Sequence, residues 1–243
     1  MYFSFEILIV IFLTAIHSVF GIGLLLFGTP TFLLLGYDFP NTINILVPLS
    51  IVISLFQFLR SKKKEKKFIL NYNLFCLPFL VLFLILALNF KDIIDFKLYV
   101  SILLILFSFI ILNKKKFYLF DMAMFRLNKI FLILIGSIHG FTNMGGSFLS
   151  VYSTVISKNN KELSRYYISY GYLIMGIIQY VIVIIFSFDH INFSKIYYIL
   201  IALLIYFPSQ ILFKNISEKF FSKVINILAL IYGITILSYG FIG

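Results

Sequence analysis

The chain has 243 residues, of which 62% are hydrophobic and only 12% charged, and its mean hydropathy is +1.07. Soluble globular chains hold about 45–50% apolar residues, so this composition excludes them and points to an integral membrane protein. The formal net charge of +11 does not point to nucleic acid, because the basic residues cluster between apolar stretches, as in RSKKKEKK at Arg60 to Lys67, which is the pattern of cytoplasmic loops.

The first apolar stretch, Phe5 to Leu35, carries no basic n-region and no small-residue cleavage site, so it reads as a retained membrane segment rather than a signal peptide. Glycines interrupt it in AIHSVFGIGLLLFGTP. As one helix it would be roughly 45 Å long, against a hydrocarbon core of about 30 Å. Asn41 to Leu59, Phe68 to Asn89 and Phe96 to Leu112 follow as clear spans, with the lone Cys76 reading as a small core residue. FYLFDMAMFRLNK (Phe117 to Lys129) mixes apolar and charged residues and reads as an interfacial helix. Ile130 to Ile156 is the second broken stretch. Ser164 to Phe186, Lys195 to Phe213 and Phe220 to Phe241 complete the spans.

Basic residues arbitrate between two readings of the broken stretches. If each is a re-entrant hairpin, 17 Lys and Arg fall on one side and only Lys91, Lys97 and Lys195 on the other; if each crosses fully, the split is 12 to 8. The uneven split favours hairpins. The expected fold is therefore an all-α integral membrane protein of two related repeats, each a glycine-broken re-entrant hairpin plus three transmembrane helices, inverted relative to each other. The first repeat covers 1–112, a basic connector 113–129 and the second repeat 130–243. A shift of 122 residues superposes Ile16-His17 on Ile138-His139, Gly23 on Gly145 and Gln57 on Gln179, in a chain with only three His and three Gln.

If the chain turns near Gly21-Gly23 and near Asn143-Gly146, a half-helix begins at each tip. Its free N–H groups and positive dipole end then point at the bilayer midplane, which favours an anion. Asn143, Gly145, Gly146 and Ser147, with His139 before them, and Gly21 and Gly23, with His17 before them, form the candidate substrate site. The same glycines could instead serve close helix packing. His17 and His139 are the deep titratable groups, hence candidates for proton coupling, or else neutral residues bridging helices. Gln57 and Gln179 either coordinate substrate or lock helices together. Tyr166, Tyr167, Tyr170 and Tyr172 read as interfacial anchors.

The second unit, GSIHGFTNMGGSFLSV with its following span, resembles the sulfite exporter TauE/SafE-type permeases (the toluene-sulfonate uptake permease family) in keeping Gly136, Gly140, Gly145 and Gly146, with Ser169 near the family's Thr-Ser position. The first keeps Gly21, Gly23, Pro30 and Gly36 but lacks the glycine triplet and has Val47-Pro48 where Thr-Ser is expected. The resemblance implies a secondary transporter, not an enzyme, for a small sulfur-containing anion such as sulfite, thiosulfate or a sulfonate, in the cell (inner) membrane, multi-pass, with no cofactor. Two alternatives rank below it: an intramembrane hydrolase pairing Ser147 with a histidine, which has no buried acid to orient it, and a metal permease using His17, His139 and Met144, whose donor set is poor.

Overall fold

The computed structural model describes residues 2–61, 65–90, 98–99, 102, 105, 122, 124–158, 160–188, 195, 197–215 and 234. Most of the expected span Phe96 to Leu112, most of the connector and nearly all of Phe220 to Phe241 lie outside these residues. Every regular element among the described residues is a helix: α1 (Tyr2–Phe20), α2 (Leu24–Leu34), α3 (Phe39–Arg60), α4 (Lys66–Phe75), α5 (Leu77–Asn89), α6 (Asn128–Thr142), α7 (Gly146–Ile156), α8 (Lys161–Phe186) and α9 (Tyr198–Asn215).

Among the described residues, three helical stretches are long and apolar enough to cross a bilayer: Phe39–Arg60, Lys66–Asn89 and Glu162–Phe186. The second is interrupted between α4 and α5 at Cys76, where a single continuous span was expected. Pro78 in the first turn of α5 removes one N–H from the helical ladder and crowds the preceding turn. Cys76 itself is fully buried. Leu8, Phe12, Ile185, Leu200, Leu204 and Ile211 are exposed, an apolar outer surface suited to lipid.

Both broken stretches are broken in the structure, and with the same backbone chemistry. The N–H of Gly21 donates to the carbonyl of His17 at 2.7 Å, and that of Asn143 to the carbonyl of His139 at 2.8 Å. These two closing residues are left-handed, with φ of 75° and 61°. Glycine adopts that conformation freely and asparagine tolerates it. The next helices then begin 122 residues apart and each runs for 11 residues, about 16 Å, or half a membrane. Their ends also match, since Gly36 and Lys158 are both left-handed. Asp38 and Asn160 each cap the following long helix by accepting from the N–H three residues on, an N-cap worth about 1 kcal/mol.

α3 and α8 lie side by side at the centre, where Gly176 allows α8 to approach Ile51. α2 packs on α3 and α7 on α8, while α2 and α7 touch each other; α1 packs on α9 and α6 on α5. Gly136 and Gly140 sit against the carbonyls of Cys76 and Leu80, so α6 and α5 run alongside in the same direction, with small residues permitting backbone contact.

Side-chain contacts fix which ends lie together. The Tyr37 hydroxyl, just after α2, donates to Glu6 near the start of α1 at 3.0 Å, and Lys195 donates to both Glu6 oxygens at 2.6 and 2.7 Å. These contacts hold Tyr37, just after α2, beside the start of α1. At the opposite end of α3, Glu65 accepts from the Tyr167 hydroxyl, Phe68 stacks on Tyr167 and Phe58 on Tyr166, and Tyr170 donates to Asn73. Of the tyrosines read as interfacial anchors, Tyr166, Tyr167 and Tyr170 are instead buried between α3, α4 and α8, and Tyr172 is buried elsewhere in the bundle.

Candidate functional site

The two breaks meet. Asn143 Nδ2 donates to Thr29 Oγ1 across 3.1 Å, tying the tip before α7 to the middle of α2. Around this junction lie His17, His139, Asn143, Gln179 and Tyr172, all essentially excluded from solvent.

Tyr172, on α8, is the hub. Its ring stands edge-on to His17 with centroids 5.2 Å apart and to His139 at 6.2 Å, so one phenol links the last turns of α1 and α6. Its hydroxyl reaches the first residue of α7, where a β-carbon on Gly146 would overlap it. Gly145 is as tightly held, by the His139 β-carbon and the backbone at Ile135 and His139, and Gly23 by Ile16. Close packing therefore accounts for these three glycines before any ligand is considered. A β-carbon on Gly21 would meet Gln57 Oε1 at an ordinary 3.5 Å. The backbone of Ser147 falls in the first turn of α7, and its side chain lies outside the described residues.

The two glutamines play different parts. Gln57 Nε2 donates to the carbonyls of His17 and Ser18, both at 3.3 Å, covering the open C-terminal end of α1. Gln210 Nε2 donates to the same Ser18 carbonyl at 3.0 Å while its Oε1 accepts from Arg165 at 2.7 Å. On the second unit, Gln179 Oε1 lies 3.0 Å from His139 Nε2; since a carbonyl oxygen accepts, the ring nitrogen is the donor and Nδ1 carries the lone pair.

Several buried polar atoms at this junction have no hydrogen-bond partner within the protein: both ring nitrogens of His17, His139 Nδ1, Asn143 Oδ1, Gln57 Oε1, Gln179 Nε2 and Ser18 Oγ. An unpaired buried polar group costs about 1–3 kcal/mol, and native interiors hold few of them. Seven of the seventeen such atoms among the described residues belong to His17, Ser18, Gln57, His139, Asn143 and Gln179.

Sequence reasoning singled out the histidines, the glycines, Asn143, Gln57 and Gln179; the structure sets both histidines and Gly146 against Tyr172, Gln179 on His139 and Asn143 on Thr29. It missed Tyr172, Thr29 and Gln210. The last had a signal: it is the third of only three glutamines in the chain.

A membrane-type bundle of apolar helices, broken twice at its centre around buried polar groups, is the build of a permease. The Sulfite exporter TauE/SafE family matches residues 6–236, and the chain belongs to that family. The family is one of membrane permeases that export sulfite-like anions. No curated protein and no solved structure matches the chain.

Proposed function

We propose that this protein is a multi-pass secondary permease of the cell (inner) membrane that binds a small sulfur-containing anion, such as sulfite, thiosulfate or a sulfonate, at mid-membrane where the two broken helices meet. The observation that carries the reading is the set of unpaired, fully buried polar atoms around Tyr172. The N-termini of α2 and α7 bring about half a positive charge each, with free N–H groups, which suits an anion where no lysine or arginine is needed. His17, Gly21, Gly23, Gln57, His139, Asn143, Gly145, Gly146, Ser147 and Gln179 border the substrate, and Tyr172 joins them.

In this reading each broken pair is a re-entrant hairpin and the two halves are inverted repeats. The Glu6–Tyr37 hydrogen bond supports a hairpin return after α2. The Glu65–Tyr167 contact supports the matching return after α7, since α4 starts at that end and α6 runs parallel to the α4–α5 span. The matched caps, left-handed residues and helix lengths 122 residues apart support duplication, and α1 on α9 mirrors α6 on α5. The end bearing Arg60 to Lys67 is then cytoplasmic, by the excess of positive charge.

Transport is coupled to protons in this account, with the buried histidines as the titratable groups nearest the substrate. Reconstitution into liposomes with a panel of labelled sulfite, thiosulfate, methanesulfonate, sulfate and chloride, with and without a proton gradient, tests it. Saturable, gradient-stimulated sulfite flux is expected; flux no greater than in empty liposomes for every sulfur anion refutes it.

A further inference from the structure

The unpaired atoms at the junction are of two kinds. Gln179 Nε2 and one nitrogen of neutral His17 are donors, as an ordinary anion site requires. Asn143 Oδ1, Gln57 Oε1 and His139 Nδ1 are acceptors, and a fully deprotonated anion has nothing to give them. An oxyanion lone pair set against an amide oxygen in a dry site leaves both unpaired, each at the full desolvation penalty.

Charge points the same way. Two half-helix N-termini supply roughly one positive charge together. The opposing negative end of α1 is already covered, because the Ser18 carbonyl accepts amide N–H groups from both Gln57 and Gln210. Among the described residues, the titratable groups facing the junction are His17 on α1, His139 on α6 and Tyr172 on α8. Arg165 reaches it through Gln210 on α9, and α2 and α3 contribute Thr29 and Gln57. A dianion would leave about one charge uncompensated in a water-excluded interior, which is costly.

We propose that the site selects its substrate as a singly charged, proton-bearing oxyanion, a hydrogen oxyanion whose O–H donates to Asn143 Oδ1 or a neighbouring acceptor while its other oxygens accept from Gln179 and the half-helix N–H groups. The proposal rests on the junction being the anion site. No covalent bond is made or broken: the proton stays on the substrate oxygen throughout. Proton coupling then needs no side chain to titrate, because the coupled proton travels on the anion itself.

Equilibrium binding of radiolabelled sulfite to the full-length protein in lipid nanodiscs, across a pH range spanning the second ionisation of sulfite, tests this. Methanesulfonate, a monoanion that carries no O–H, and sulfate, a dianion, are run in parallel. Sulfite affinity should be flat on the acid side and weaken tenfold per pH unit beyond the ionisation. Methanesulfonate should bind at least tenfold more weakly than acid-side sulfite and show no pH dependence, and sulfate should not compete. Asn143→Gly keeps the left-handed backbone but removes the acceptor, and should narrow the gap between sulfite and methanesulfonate to under threefold. Equal sulfite affinity on both sides of the ionisation, or methanesulfonate binding as tightly as acid-side sulfite, overturns the proposal while leaving the anion site standing. Methanesulfonate affinity that falls with pH in step with sulfite also overturns it and places the proton on a histidine. If folded protein binds none of these anions at any pH, the anion-site reading fails and this proposal with it.

Discussion

Glu6→Gln removes one charge from a nearly closed cluster. The Glu6 carboxylate accepts from Lys195 at 2.6 and 2.7 Å and from the Tyr37 hydroxyl at 3.0 Å, and the two charged side chains are only 8% and 17% exposed. At that burial, removing one partner strands the other charge, typically at about 3–5 kcal/mol; the partial exposure of Lys195 argues for the lower end, about 3 kcal/mol. For a chain of this size, that lowers the melting temperature by roughly 6–12 °C. Thermal unfolding in detergent measures it, and Lys195→Met combined with Glu6→Gln should recover more than half of the loss, because no stranded charge remains. A single variant melting within about 1 °C of wild type, or a double variant no better than the single, would show that the cluster does not clamp α1 to the α2–α3 turn and α9.

Burial and the Glu6 hydrogen bond raise the Tyr37 phenol to about 12. The folded state therefore favours the neutral phenol: its contribution is complete below the ordinary tyrosine range near pH 10 and disappears as pH rises toward 12. Melting curves should show an alkaline loss over that window which Tyr37→Phe lacks. Gly140→Leu sets a side chain into the α5 backbone at Leu80 and should prevent folded protein from accumulating, as seen by size-exclusion chromatography. Gly36→Ala has open space around it and should lose only the ~1–2 kcal/mol of a left-handed alanine. Gln179→Leu removes the partner of His139 Nε2 and should weaken anion binding by about 1–3 kcal/mol in an equilibrium titration. Cysteine placed at exposed Asn160 should label from the same side of the membrane as cysteine at Lys66, against a low background because native Cys76 is buried; labelling only from opposite sides would restore full crossings in place of hairpins.

The breaks were legible because glycine permits and asparagine tolerates a left-handed backbone, and because rare residues recur 122 positions apart. The N-caps at Asp38 and Asn160 were not read from the sequence, although both residue types favour that position. Tyr172 was not legible: among five tyrosines from 166 to 180, only three-dimensional packing decides which ring faces two histidines and which stacks on Phe58 or Phe68. The partnership of Thr29 with Asn143 spans 114 residues, and that of Glu6 with Lys195 spans 189; no local pattern encodes either. The interruption at Cys76 was foreshadowed by Pro78, outweighed in the sequence by the apolar run around it.

The central claim is that the anion rests where the two broken helices meet, and selenite, a heavier congener of sulfite, can locate it. Anomalous diffraction from crystals soaked in selenite should give a peak within hydrogen-bond reach of Asn143, Gln179 and the N-terminal N–H groups of α7, in place of or beside the Tyr172 hydroxyl. A peak elsewhere in the bundle, with this junction left empty at saturating selenite, would contradict the account.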